Sequence, residues 1–386
     1  MKFFFKIIQI LINTKFVFYI PSQKKILFFD AETQRPLSLY FNMQDVFILY
    51  NRWEEVNFYV IYKMILSRES LNHKNYLKKI ISLVNPKLVI TIVDNNTFFY
   101  RLKSFFNKIY FVSVQDTIHF VTGDTLEILQ EKKIYKEYKT DYYFVYSDSY
   151  GSEMSKFIKS NYITIGSVRN NLFKISRNYE KKTLCYISRY PGVFAEYSRH
   201  KDMQKIKKQF DSWQVELLEF SFKLISNLRN YCLSNDLNLN VLAKEDRDKY
   251  SDLEYEFYNH ILGKNGWTFH PRKSSYDSYE KIDKYEIIIS LTSGLGQEAI
   301  ARGKKVAFFS HDQCVGSNFG WPLIKEKKGN FFTNSNDEKE INRIMNYLFS
   351  LTDEEWKKSI KPYEKKLFFY DKDNSILKKI LKDLPY

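Results

Sequence analysis

Cysteine and glycine are scarce in this chain of 386 residues, which carries 3 Cys, 12 Gly and 8 Pro. Cys185, Cys232 and Cys314 are odd in number and lack paired spacing. They exclude a disulfide framework and a Cys-rich zinc site, and they suit a reducing compartment. No Walker A, G-x-S-x-G or strand-following G-x-G-x-x-G motif occurs, so two common phosphate cradles and the nucleophile elbow are missing. No His, Asp and Glu grouping has metal-ligand spacing, and metal independence with no bound cofactor is expected. Long apolar runs are missing too. The first 20 residues are apolar but interrupted by Lys6 and Lys15, and no small-residue cleavage site follows. They read as an opening helix and strand, not as a signal peptide or membrane span, and a cytoplasmic location is expected. There is no arginine-rich arm and no run of five like charges, so no nucleic-acid footprint is visible.

What is present is basic and aromatic. The net charge of +15 calls for phosphate-bearing ligands or peripheral contact with an anionic membrane surface. The 30 Tyr and 33 Phe, with abundant Lys, Ile and Asn, are compositional drift spread over ordinary core and surface positions. Hydrophobic residues at 44% and charged residues at 27% are a globular balance, and the length suits about two domains.

Short apolar runs at 26–29, 45–50, 88–93, 109–114 and 142–146 read as buried strands, with helical patterns at 72–84 and 97–106 between them. A polar, charged stretch at 173–182 reads as a linker. A second series follows, with strands at 183–188, 238–242, 267–270, 286–291, 305–310 and 331–332. Helices fall at 213–233, 251–262, 276–282 and 294–301, then a helical tail from 337 broken by Pro362. Alternation of this kind makes parallel sheets covered on both faces. The fold class expected is α/β and GT-B-like, two Rossmann-like domains facing a central cleft. An acceptor-side domain spans 1–172, a nucleotide-sugar domain 183–350, and helices of 351–386 cross back to the first domain.

The chemistry concentrates at 286–310. A buried strand ends in Ser290, then come Thr292, Ser293, Gly294 and Gly296, a helix carrying Glu298, Gly303 and another strand. Hydroxyls and glycines at a helix N-terminus present backbone N–H groups to an anion, and the helix dipole adds attraction. The alternative is a plain helix cap. Upstream, His270, Pro271 and Arg272 end a strand, where the imidazole could donate to a phosphate and the guanidinium could bind it in bidentate fashion. One βα unit separates them from the Ser/Thr/Gly turn, which predicts neighbouring strand ends. Ser188 and Arg189 end the first strand of the second series and are weaker candidates, as is the charge cluster 244–247.

The order His-Pro, a strand ending in a Ser/Thr-rich turn, then Gln297-Glu298-Ala299-Ile300-Ala301-x-Gly303-Lys304 resembles the donor half of bacterial lipopolysaccharide and capsule transferases. It is similar to those that use CMP-activated Kdo or sialic-type sugars. The resemblance implies His270, Thr292 and Ser293 on phosphate, Glu298 on ribose, and no metal. It is specific over about 265–310 and only architectural before that. A nucleotide sugar and a saccharide or lipid-linked acceptor would be the partners.

A transferase also needs a carboxylate, either as general base on an acceptor hydroxyl or as nucleophile. Asp116, after the strand at 109–114, is the first candidate and His119 could orient it. Asp94, after the preceding strand, is the second; either could be a helix N-cap. Competing functions on the same fold are a CDP-glycerol-type polymer transferase, a nucleotide-sugar epimerase, or a non-catalytic polysaccharide-assembly protein.

Overall fold

A computed structural model describes residues 14–52, 54–118, 137–190, 192–244, 248–274, 276–291, 293–311 and 319–386. The chain forms two compact units, one of residues 1–146, 151–168 and 374–386, the other of 147–150 and 169–373.

Fourteen strands are described. In the first unit, β1 (Lys15–Val17) pairs with β4 (Glu55–Asn57) as a small parallel pair. The main sheet holds β2 (Ile26–Phe28), β3 (Val46–Ile48), β5 (Leu88–Thr91), β6 (Tyr110–Val114), β7 (Lys139–Val145) and β8 (Lys159–Thr164). All its pairings are parallel, in the order β3-β2-β5-β6-β7-β8. Ile26, Leu27, Phe28 and all of Leu88–Thr91 are buried, as strands covered by helices on both faces must be. The order turns between β2 and β5.

The second unit holds β9 (Glu180–Ile187), β10 (Leu239–Leu242), β11 (Trp267–His270), β12 (Tyr285–Ser290), β13 (Lys305–Phe309) and β14 (Phe332–Thr333). Their order is β11-β10-β9-β12-β13-β14, again wholly parallel. Counted from β9 this is 3-2-1-4-5-6, the dinucleotide-binding arrangement. Its helices include Ser212–Ser234, Asp248–Leu262, Asp277–Asp283, Gly294–Ala301 and Glu338–Ser350. Helices Phe58–Leu66, Asp148–Met154, Val193–His200 and Met203–Gln209 add to those expected from sequence.

The chain changes units at Val168–Arg169, ahead of the linker read at 173–182. The reason is Arg302, buried on helix-end ground at 5% exposure. It holds Asp283 through two nitrogens at 3.0 and 2.5 Å, Asn170 Oδ1 at 3.0 Å, and the carbonyls of Phe173 and Lys174 at 3.1 and 3.0 Å. Residues 170–174 are thereby fastened to the second unit. The tail divides as well. Helix Asp353–Ile360 belongs to the second unit, whereas helix Ser375–Asp383 gives Leu377 and Leu381 to the first unit's core beside Ile26, Val46 and Ile90. Buried Asn374 sets that helix in place, donating to Tyr40 Oη at 2.7 Å and to the Val168 carbonyl at 2.8 Å.

Asp283→Asn leaves the Arg302 charge buried without its partner. It should cost about 3–5 kcal/mol of stability, read by urea denaturation, the usual penalty for breaking a buried pair from one side. A loss below about 1 kcal/mol would show that Asn170 and the carbonyls suffice.

Candidate functional site

In open parallel sheets, ligands sit beyond the carboxyl ends of the strands where the order turns. In the second unit that place lies between β9 and β12, which run side by side with Ile187 opposite Ser290. Ser188 and Arg189 follow β9, and the turn into helix Gly294–Ala301 follows β12. Ser188 is fully buried, its Oγ accepting from Tyr258 Oη at 2.8 Å and from the Tyr190 N–H at 3.2 Å. It therefore shapes the turn, while half-buried Arg189 follows it. Ser293 is the helix N-cap and takes the Leu295 N–H at 3.3 Å; Gly294 is the first helical residue, and both are partly exposed. Gly296 is there for close approach: a Cβ at this position would lie 2.3 Å from Ser290 Oγ. Glu298, one turn on, is buried and accepts from Tyr279 Oη at 3.1 Å. Thr292 lies outside the described residues.

His270 and Arg272 stand elsewhere. β10 and β9 separate β11 from β12, so the expectation of neighbouring strand ends fails: consecutive strands of the chain are three strand spacings apart, about 14 Å. The order reverses at the switch point and sends β11 to the sheet edge. The imidazole is also engaged, with Nε2 2.9 Å from Asn240 Oδ1 and 3.0 Å from Tyr285 Oη. Burial first, then Lys281 and Lys284, holds its pKa below the ordinary value. Arg272 ties loops together, donating to the carbonyls of Lys244 at 2.8 Å and Ser274 at 3.2 Å. Of the charge cluster 244–247, Lys244 is described, and its N–H is held by buried Glu254 at 2.8 Å.

The first unit has a polar cavity of about 580 Å³ at its own strand ends, lined by Glu32, Arg52, Asp94, Asn96, Asp116 and Thr117 among others. Both candidate carboxylates reach it, with different exposure. Asp94 is buried, and its Oδ2 accepts from Tyr143 Oη at 2.7 Å while its carbonyl takes Tyr100 Oη at 2.7 Å. Asp116 is partly exposed on a turn pinned by Gln115, whose amide donates to the Thr117 carbonyl and whose oxygen accepts the Tyr146 N–H, each at 2.8 Å. Asp94 does not cap the helix that follows: Asn96 is the N-cap of Thr97–Leu102. His119 lies outside the described residues.

Residues 112–385 match a protein family described as "putative O-antigen biosynthesis protein". The chain belongs to that family. No curated protein matches it. Among solved structures it is similar to S. aureus MnaA in complex with UDP, at 14% identity over 93% of this chain and 97% of that one, with a TM-score of 0.51. It is similar also to a putative UDP-N-acetylglucosamine 2-epimerase from Listeria monocytogenes, at 12% identity over 94% and 97%, with a TM-score of 0.53. The shared fold is that of GT-B glycosyltransferases and sugar-nucleotide 2-epimerases, two parallel-sheet α/β units.

Sequence reasoning on this O-antigen family member passes over Arg52 and Glu32. Arg52 Nε meets buried Asp30, two residues past β2, at 2.8 Å, and so sits at the first unit's switch point. An Asp at a strand end followed by a cation some twenty residues on is a signal too weak to single out. Two Asp-x-Asp pairs also occur, at 246–248 and 371–373. In the described one the Asp371 N–H donates to Asn171 Oδ1 at 3.0 Å. Among the described residues no group of three or more His, Cys, Asp or Glu is placed to hold a metal ion.

Two outcomes follow from this geometry. Gly296→Ala should cost about 1–3 kcal/mol, the range for overpacking, and Ser290→Gly in the same chain should recover part of it in a double-mutant cycle. Additive losses would separate the two positions. The depressed pKa of His270 means that the folded state binds its proton less well than the unfolded chain does. Its contribution to stability is complete above about pH 6.5 and declines as pH falls through the folded value. His270→Gln should therefore flatten the fall in Tm on acidification; an unchanged profile contradicts it.

Proposed function

We propose that this chain is a glycosyltransferase of O-antigen assembly that takes a pyrimidine nucleotide sugar. One observation carries it: in a sheet of dinucleotide-binding order, the turn beyond the switch point is Ser290, Ser293, Gly294 and Gly296, with Arg189 on the facing strand end and Glu298 one turn further. Small side chains let a phosphate approach the helix N-terminus, and the guanidinium adds charge. Glu298 is the candidate for the ribose hydroxyls, oriented by Tyr279. Charge that develops on the leaving phosphate is met by the helix dipole and Arg189.

Asp116 is the carboxylate for the acceptor. Of the two candidate aspartates in the first unit's cavity, which Glu32 also lines, it is the more exposed, so an acceptor hydroxyl can reach it; Asp94, spent on Tyr143, positions the wall. The resemblance to CMP-Kdo-type enzymes favours cytidine, and the UDP bound by MnaA favours uridine. His270 at the sheet edge no longer speaks for CMP. Metal independence belongs to the proposal, with activity expected to survive EDTA; loss restored by magnesium or manganese would refute it.

A thermal-shift series with UDP, CMP and GDP tests the donor. A nucleotide at a hundredfold excess over its Kd adds about 2.7 kcal/mol of stability. UDP or CMP should raise Tm, and Glu298→Gln should weaken that nucleotide by about 1.5–3 kcal/mol; no shift with any pyrimidine nucleotide sinks the assignment. Asp116→Asn should lower turnover by about 10²–10⁴ at nearly unchanged nucleotide affinity. Full turnover in that variant moves the role elsewhere. The likeness to the Listeria monocytogenes epimerase over nearly both chains favours a second reading, epimerisation of the free sugar nucleotide. Nucleotide release that requires an acceptor separates transfer from it.

A further inference from the structure

The first unit carries an apolar face that its core does not need. Helix Phe58–Leu66 buries Val60 and Met64 and turns Phe58, Tyr62, Ile65 and Leu66 outward, all of them exposed. Beside it, Phe16, Phe18, Tyr19 and Ile20 are exposed on and after β1, with Phe18 at 73% and Ile20 at 67%. The two groups form one surface. The Phe58 ring lies 5.5 Å from that of Phe16 and stacks on that of Phe18 at 5.1 Å. Isolated exposed apolar residues need no explanation, but a contiguous patch with two stacked rings does.

Charge decides what covers it. Residues 15–20 and 58–68, which make the face, contain Lys15, Lys63 and Arg68; the acids that border them are engaged within the protein, Glu55 accepting from Tyr19 Oη at 2.6 Å, Glu54 from the Arg52 N–H at 2.8 Å and Glu69 pairing with Lys79, and the whole chain carries a net charge of +15. Cations rimming exposed Phe, Tyr, Ile and Leu match the headgroup boundary of an anionic bilayer: aromatic rings settle at that level and each cation gains from the negative surface. Among the described residues no helix is long and apolar enough to cross a membrane. Ile61 and Met64 of the same helix, with Leu71, Tyr76, Glu55 and His73 among others, line a mostly apolar cavity of about 190 Å³.

We infer that the face built from β1, residues 18–20 and helix Phe58–Leu66 docks the protein on an anionic lipid bilayer. The inference stands apart from the donor site, since none of its residues lines the switch point.

Vesicle sedimentation with the full chain tests it, using phosphatidylglycerol mixed with phosphatidylcholine against phosphatidylcholine alone. The wild type should sediment with the anionic vesicles and weakly with the neutral ones. Phe18→Asp combined with Leu66→Glu should lower the partition more than tenfold. Lys15→Gln and Lys63→Gln should each lower it about fivefold on anionic vesicles only. Lys15, Phe18 and Leu66 are exposed and Lys63 is half-buried with its ammonium 5.4 Å from the Tyr59 ring centroid, and an unchanged Tm checks that each variant is folded. Equal sedimentation of wild type and the apolar double variant overturns the inference. So does failure of the wild type to bind either vesicle, or a dimer in light scattering that the double variant dissolves.

Discussion

The parallel pairing of β9 with β12 is the constraint on which the second unit's chemistry depends. These strands are far apart in sequence, and β10 and β11 fold away on the other side before β12 returns to lie against β9. Connections leaving neighbouring strands in opposite directions open a crevice at their carboxyl ends, a consequence of topology that no single residue creates. What the residues do is keep it usable. Ser188 is locked by Tyr258, Gly296 lies against Ser290 where no Cβ fits, and Ser293 caps the helix whose N-terminus borders the opening.

Arg302 links that site to the chain's passage between units. It sits just past helix Gly294–Ala301, grips Asp283, and holds residues 170–174 through Asn170 and two carbonyls. Asn170 in turn donates to the Glu298 carbonyl at 3.3 Å. The helix proposed to hold the nucleotide is therefore braced by the segment that enters the second unit. A buried ion pair of this sort is weak evidence for stability alone, but its geometry fixes where the segment runs.

Much of the fold was legible because strands buried on both faces read as continuous apolar runs, as Leu88–Thr91 and Lys305–Phe309 do. Helix Phe58–Leu66 was not, because its outward face is as apolar as its inward one and the period vanishes. The same feature that hides the helix marks the surface. His270 was misplaced because succession along the chain says nothing of order across a sheet, and the edge position of β11 is set by a reversal elsewhere. The Ser and Gly of the turn after β12 were legible as a group, since small polar residues at a strand-to-helix junction have a local physical cause. Asp94 and Asp116 look alike in sequence; burial, and Tyr143 brought from β7 onto Asp94, tell them apart.

Amide hydrogen exchange with and without a pyrimidine nucleotide tests the central claim most directly, because it reports each segment separately. Binding at the switch point should slow exchange at 188–190 and 293–298 and leave the β11 end, 270–273, unchanged. Protection confined to the β11 edge, or nucleotide binding with no protection after β9 and β12, would contradict the account.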